Sequence, residues 1–203
     1  MMISCWTVDL RLVSSAELFE WCLREHGVDH MLVALRLEEY EGRWRALVPG
    51  SSDRFETHFS AHIQERFLAS GWPGTESFRQ PGLMYLLEFN RAILNLMLEI
   101  ESDLSKWSID DRSPLPEDIC LFRDGDPHPV FLSVIHEGDA WLLTNRNPML
   151  QGVSLDKAVE SDRLREELIA FPGKYFCRPW RGKVQAVDKR LLPKPRGGSA
   201  IGR

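Results

Sequence analysis

The stretch ICLFRDGDPHPVFLSVIHEGDAWLLT, residues 119–144, decides how this chain is expected to fold. Three apolar runs, 119–122, 130–135 and 140–143, are separated by two segments rich in Asp, Gly and Pro. Runs of this length between such turn residues are typical of strands joined by hairpins. The middle run is apolar on both of its alternating faces. The stretch therefore predicts a three-stranded antiparallel meander whose middle strand is covered on each side.

The segments that precede this stretch alternate between helical and extended patterns. Ser14 and Glu17 have the spacing of a capping box, which starts a helix, and Gly27 suits the left-handed residue that ends one. Apolar and polar residues then alternate through residues 31–48, with a turn at residues 40–42. That pattern predicts a hairpin with one solvent-facing side over much of its length.

A second helix is predicted to start at Asp53, because Glu56 follows it three residues later. Its apolar stripe would consist of Phe55, Phe59, Ile63 and Phe67.

Another helix is predicted to end at Phe171, capped by Ser154 or Ser161, with Leu164 and Leu168 facing inward. Helices and strands thus follow one another in irregular order. We therefore predict an α+β fold with a mainly antiparallel sheet, in which the central meander at about residues 119–144 is packed by three to four helices.

Residues 83–107 form the most apolar segment and fit two patterns. Leucines, methionines and isoleucines fall at helical spacing over the whole length, whereas residues 94–101 also alternate as a strand would. Leu, Met, Ala and Glu dominate and β-branched residues are few, so the composition favours a helix over paired strands.

Length and composition indicate a soluble protein. At 203 residues, the chain fits one domain, because single cores stop growing at about 250–300 residues. We assign residues 1–187 to one globular domain and residues 188–203 to a basic, flexible tail. No apolar run approaches the ~20 residues that span a bilayer, and no secretory signal is expected. The four cysteines are widely spaced without a C-x-x-C motif, which is typical of reduced thiols in the cytoplasm.

Charge is distributed unevenly along the chain. Residues 1–173 hold 29 acidic and 16 basic side chains, a balance of −13, whereas residues 174–203 hold nine basic side chains and one acidic one, a balance of +8. An acidic body attracts basic partners and repels nucleic acid.

His58 and His62 are the candidate metal ligands. They are four residues apart, and on a helix that spacing lets two imidazoles face one metal ion. Glu65 would be a third ligand. Both histidines border the predicted apolar stripe, where hydrogen-bonded histidines are also common.

Two further groups are candidates for binding. Asp124, Asp126 and His128 lie within one hairpin connection and carry ligand groups for a divalent ion, although Asp-Gly and Asp-Pro are also ordinary turn sequences. The hairpin residues Arg43, Trp44 and Arg45 present an aromatic side chain between two basic ones. Tryptophan and arginine are enriched where proteins bind one another.

The basic segment that begins at Lys174 interleaves aromatic and basic side chains. Arg178, Trp180, Arg181 and Lys183 are suited to contact a phosphate backbone and to stack on a base. The alternative is that these aromatic side chains complete the core.

The sequence contains no phosphate-binding glycine loop, no G-x-S-x-G elbow and no H-E-x-x-H motif. We therefore expect a non-enzymatic, cytoplasmic protein-binding module of bacterial inhibitor or immunity type, which uses an acidic, Trp-bearing surface. Its partner would be a basic protein, with a homodimer as the other arrangement, and no membrane or cofactor is expected. The alternatives are a metal-dependent hydrolase that uses His58 and His62, and nucleic-acid binding through the C-terminal segment.

Overall fold

Antiparallel strand pairing organises the fold. The computed structural model describes residues 4–40, 43–46, 50–69, 82–107, 115–116, 118–126 and 129–155. Within these residues the strands are β1 Ser4–Val8, β2 His30–Tyr40, β3 Arg43–Ala46, β4 Ile63–Ala69, β5 Gly82–Glu88, β6 Asp118–Phe122, β7 Phe131–Val134, β8 Asp139–Thr144 and β9 Val153–Leu155. The α-helices are α1 Ser15–Trp21, which continues as a π-helical turn over Cys22–His26, α2 Ser51–Phe59 and α3 Arg91–Ile100. The protein therefore has the predicted α+β fold with an antiparallel sheet.

Eight strands lie side by side in the order β4-β5-β2-β6-β7-β8-β1-β9, and β3 pairs with the far end of β2. Every strand pair is antiparallel. In the middle of the sheet, Val33 is the register partner of Tyr85 on one side and of Ile119 on the other. At one margin, β9 pairs only with β1 among the described strands.

Apolar side chains cover both faces of the central strands. The first face packs with the helices in one cluster, in which Phe19 of α1 meets Phe131 of β7 at 5.8 Å between ring centroids and Phe55 of α2 meets Tyr85 of β5 at 4.8 Å. The second face holds the alternate residues of the same strands, such as Leu32 and Leu132, which are equally buried but lie outside that cluster. The one solvent-facing side predicted for the 31–48 hairpin is therefore wrong for the start of β2.

Local sequence explains the helix ends. Ser14 caps α1 by accepting the Glu17 amide at its Oγ, and Gly27 ends the helical segment with φ of 59°, so both predictions are confirmed. Asn90 caps α3, because its Oδ1 accepts the amides of Ala92 and Ile93. Leaving these orphan amides unpaired would cost about 1 kcal/mol per cap.

The helix predicted for residues 83–107 is wrong over its first part. Residues 82–88 form β5, and only Arg91–Ile100 is α-helical. Met84, Tyr85, Leu86 and Leu87 are all buried because β5 lies inside the sheet with both faces covered. A strand apolar on both faces fits a helical template as well as an extended one.

The second helix was also predicted too long and from the wrong cap. α2 begins after Gly50 rather than at Asp53, and it ends at Phe59. Ile63 and Phe67 belong to β4 instead of continuing a helical stripe. Ser154 is likewise part of β9, so it does not cap a helix.

The predicted tail at 188–203 and the boundary at residue 187 lie outside the described residues, as does the helix predicted to end at Phe171. Within the residues that are described, no helix is both long and apolar enough to cross a bilayer.

Candidate functional site

The polar rim is the group of ionisable and hydroxyl side chains at the end of the sheet where β2 begins and β5, β6 and β8 end. It comprises Glu25, His26, Asp29, His30, Glu88, Asp124, Asp126, Thr144 and Arg146. The register explains this convergence, since His30 lies opposite both Glu88 and Phe122, the final residues of their strands.

Asp29 and His30 form a hydrogen-bonded pair on the rim. His30 Nδ1 donates to Asp29 Oδ1 at 2.7 Å, and the same oxygen accepts the backbone amide of Asp124 at 2.7 Å. The His30 ring stacks on Phe122 with 5.5 Å between centroids and 17° between planes. A carboxylate at Nδ1 sets the tautomer of the imidazole and leaves Nε2 as a proton acceptor. Such a pair has the chemistry of a general base.

His26 is held by a second group of contacts. Its Nε2 lies 3.0 Å from Thr144 Oγ1, which accepts the Arg146 amide at 2.9 Å, and its ring lies 4.9 Å from that of Trp21. Because Thr144 Oγ1 already accepts one hydrogen bond, its own proton is free to point at His26. Thr144 is 2% exposed, so the hydroxyl stabilises the fold and does not face a ligand.

His26 lies among both acidic and basic side chains of the rim. Burial lowers the pKa of His26 most, and the nearby Arg146 lowers it further, while Glu25 and Asp126 oppose the shift. Hydrogen bonding from Arg24 lowers the pKa of Glu25, with Arg146 as its second partner. The structure thus brings Asp126, one of the predicted binding residues, within electrostatic reach of His26.

Asp124 and Asp126 flank Gly125, which has φ of 76°, and the Asp126 amide closes a turn onto the Arg123 carbonyl at 3.0 Å. Their predicted companion, His128, lies outside the described residues. No group of three His, Cys, Asp or Glu side chains within the described part of the chain is placed to hold a metal ion.

His58 and His62 do not share a helix as predicted. His58 lies in the last turn of α2, where its Nδ1 contacts the Arg54 carbonyl at 2.9 Å, whereas His62 lies in the turn before β4. The spacing of four residues therefore does not bring the two rings onto one helical face, which was the geometric reason for predicting a metal site.

Three of the seven tryptophans belong to the core: Trp21 is 7% exposed, Trp107 is 0% exposed and Trp141 is 6% exposed. Trp44 lies in β3 between Arg43 and Arg45, but the side chains of these three predicted binding residues are outside the described ones, as are Arg178, Trp180, Arg181 and Lys183. Trp6 of β1 is partly buried, and its Nε1 donates to the Thr144 carbonyl at 3.3 Å.

A partly buried network links α2 to the sheet near the opposite margin. Tyr85 Oη lies 2.8 Å from Ser52 Oγ and donates to Glu56 Oε1 at 3.0 Å. Arg66 donates twice to the Glu56 carboxylate, at 2.9 and 3.0 Å. Arg66 is the main cause that lowers the pKa of Glu56, whereas burial raises the pKa of Tyr85 well above its ordinary value.

The β9 edge, which we define as Leu12, Met149 and strand β9, is the second candidate surface. Among the described residues, the large hydrophobic side chains that are exposed are Met149 at 92%, Leu12 at 56% and Leu155 at 45%. Leu12 lies beside Gly152, where an added Cβ would lie 2.9 Å from Leu12 Cβ. The Gly152 carbonyl accepts the Asp9 amide at 2.8 Å. An apolar group beside a sheet margin is the arrangement that a partner strand covers.

Sequence reasoning missed both Asp29 and the β9 edge. Asp29 precedes His30 directly, and adjacency of this kind was a usable signal. Leu12, Met149 and Leu155 carry no such signal, because isolated apolar residues in a sequence are usually buried.

Comparison with known proteins adds no relative: no family model, no curated protein and no solved structure matches this chain.

Proposed function

We propose that this protein is a protein-binding module of inhibitor or immunity type, which holds a basic partner protein along the β9 edge. The observation that carries the proposal is the exposure of Met149 and Leu12 beside a strand whose outer side has no partner among the described strands. Single exposed leucines are common, but here a methionine at 92% exposure and two exposed leucines all belong to β9 or to the loops next to β1 and β9.

The margin is suited to an extended peptide. β9 pairs with β1 through Val8 and Val153 at one end and through Trp6 and Leu155 at the other, which fixes its backbone in the extended form. A strand held on one side presents amide and carbonyl groups on the other. A strand added by the partner would form hydrogen bonds with those amide and carbonyl groups. Apolar side chains of that strand would cover Leu12, Met149 and Leu155.

Charge favours a basic partner over a second copy of the chain. The described residues hold 19 Asp and Glu against 11 Lys and Arg, a balance of −8. Six of the bases form ion pairs with acids of this chain: Arg11, Arg24, Arg66, Arg91, Lys106 and Arg146. The acids in excess create a negative field, which speeds encounter with a positive protein and repels an identical one.

The test compares one triple variant with one double variant in binding to proteins captured from the source cells. Leu12→Ser, Met149→Ser and Leu155→Ser together remove the apolar surface without changing charge. At about 1 kcal/mol for each buried side chain, the triple variant should bind a genuine partner about 100-fold more weakly. Asn147→Ser with Gln151→Ser changes exposed polar residues of the same segment and should leave affinity unchanged.

The partner must also be basic, and its association rate must fall as salt is raised. Equal retention of the partner by the triple variant and the control would refute the proposal. If the protein associates with itself through the β9 edge and binds no basic protein there, the proposed kind of partner is wrong.

A further inference from the structure

Strand β9 directs the backbone groups of alternate residues toward β1 and away from it. Asp9 donates its amide to the Gly152 carbonyl at 2.8 Å, which makes these two residues a hydrogen-bonded pair of the antiparallel ladder. In such a ladder, hydrogen-bonded pairs alternate with pairs that exchange no hydrogen bonds. Ser154 therefore directs its amide and carbonyl toward β1. Val153 and Leu155 direct theirs away from β1, to the outer side.

The neighbouring ladder agrees with this alternation. Leu143 of β8 donates its amide to the Val130 carbonyl at 2.8 Å, on the side of β8 that faces β7. Its neighbour Leu142 therefore faces β1, where its register partner is Trp6. Because Trp6 directs its backbone groups toward β8, the next residue, Thr7, directs its own toward β9.

The turn before β9 limits which outward groups an added strand can use. The Val153 amide donates to the Leu150 carbonyl at 3.3 Å. The Val153 carbonyl and both backbone groups of Leu155 are the groups left for a partner. An antiparallel strand bonds to all three through residues that lie opposite Leu155 and Val153. A parallel strand would bond through a residue opposite Ser154, and its next bonding residue would lie beyond the end of β9.

We infer that the partner contributes an extended segment that runs antiparallel to β9, with an apolar residue opposite Leu155 and, two residues later, another opposite Val153. The inference rests on the function proposed for the β9 edge and specifies how the partner is recognised there. Val153 and Leu155 are register partners of Val8 and Trp6, which pack in or against the cluster on the helix side of the sheet. Since cross-strand partners share a face, apolar residues at these two positions extend that cluster.

The residue between the two apolar ones lies beside Ser154, on the other face of the sheet. Ser154 is exposed and uncharged. A lysine or arginine at this position keeps its charge in water and lies in the negative field of the acids that are in excess among the described residues. The segment that fits the β9 edge therefore alternates apolar and basic residues.

The probe is a short blocked peptide in which lysine and valine alternate, added to the isotopically labelled full chain and followed by NMR. We expect binding at millimolar concentration. The Leu155 amide should shift and become protected from hydrogen exchange, whereas the Ser154 amide, which faces β1, should already be protected without peptide. A scrambled peptide of the same composition is the control for charge alone, and it should bind at least about tenfold more weakly, since it cannot place two valines on one face.

Methylation of the peptide amides determines the direction of the added strand. In the antiparallel arrangement with valines on the helix side, the valine amides face β9, whereas in the parallel one the lysine amides do. N-methylation of the valines should weaken binding roughly 30-fold, because two hydrogen bonds are lost. N-methylation of the lysines should leave the affinity unchanged.

The opposite pattern of methylation effects would mean a parallel strand or lysines on the helix side, and either would overturn the inference. Equal effects of the two methylations, or no binding of the unmethylated peptide at millimolar concentration, would also overturn it. A Leu155 shift that depends on protein concentration without peptide would identify a second copy as the occupant, against the inference. The proposed function is tested separately by the triple serine variant. If that variant loses the partner from the source cells while the two methylations act equally, the β9 edge binds a partner without adding an antiparallel strand.

Discussion

Replacement of Tyr85 by phenylalanine should destabilise the protein at neutral pH and have almost no effect at pH 11. The ring is fully buried, and its hydroxyl contacts Ser52 and Glu56. A hydrogen bond to a charged group contributes about 1.5–3 kcal/mol. Since the Glu56 side chain is 37% exposed and can recruit water, the loss should be near the low end, about 1.5 kcal/mol.

The disappearance of the effect at high pH follows from the pKa of the phenol. Burial is the main cause that raises the pKa of Tyr85 above its ordinary value of 10.0, so the folded protein keeps the phenol neutral when the unfolded chain ionises. A raised pKa gives stability that is present below pH 10 and lost above it. At pH 11 this lowers the unfolding free energy of the natural protein by about 1.4 kcal/mol, and the phenylalanine variant does not share the loss.

Urea unfolding followed by tryptophan fluorescence at pH 7 and pH 11 measures both quantities. Ser52→Ala is the matched control, because it removes one hydroxyl contact but keeps the phenol. It should be destabilised by less than Tyr85→Phe at pH 7 and should retain the loss of stability at high pH. A Tyr85→Phe variant whose difference from the natural protein is the same at both pH values would refute the reasoning.

Three further perturbations test other parts of the fold. Burial lowers the pKa of His26, so stability should fall as pH drops below 6.5, and in His26→Gln the melting temperature should change less between pH 7.5 and 5. Gly152→Ala should lower the unfolding free energy by clearly more than Gly125→Ala, because both have positive φ but only at Gly152 would the new Cβ meet atoms within 3.0 Å. Ser133→Ala should cost about 2 kcal/mol in urea unfolding, because the Oγ accepts the buried Ile119 amide at 3.1 Å; a cost below 0.5 kcal/mol would contradict this assignment.

Signals confined to a few neighbouring residues were sufficient for part of the fold. Ser14 and Gly27 were identified as helix ends because a cap depends on the chemistry of three or four adjacent residues. The antiparallel hairpin of β2 and β3 was found in the same way, through alternation around the turn at residues 40–42. The class of fold followed from the irregular order of such elements.

Periodicity failed where the sheet is covered on both faces. β5 is buried at four successive positions, 84–87, so the alternation that identifies a strand is absent, and a helix was preferred. The decisive residue was Asn90, which caps α3 through the amides of Ala92 and Ile93 and separates the strand from the helix. Earlier in the chain, Phe55 and Phe59 suggested a helical stripe that continues to Ile63, although α2 ends at Phe59.

The candidate sites were less accessible to sequence reasoning, since they depend on contacts between distant segments. The contact between His26 and Thr144 joins residues 118 positions apart, and that between Asp29 and Asp124 joins residues 95 positions apart. Asp124 and Asp126 were recognised by their ligand chemistry, but nothing local shows which groups they meet. For His58 and His62 the error was different: a spacing that brings two side chains together on a helix was used although the helix ends between them.

The two candidate surfaces differ in whether their side chains already contact other groups of the protein. On the polar rim, Asp29, His26 and Arg146 contact groups of the protein itself, and Thr144 is buried beneath them. A ligand that binds through these three groups would have to replace their existing contacts, so it would gain little net free energy. At the β9 edge, Met149 and Leu12 remain exposed to water, and covering them with a partner releases free energy without breaking an existing contact. This contrast favours the rim as a stabiliser of the sheet end, and it supports the proposal that a partner is recognised at the β9 edge.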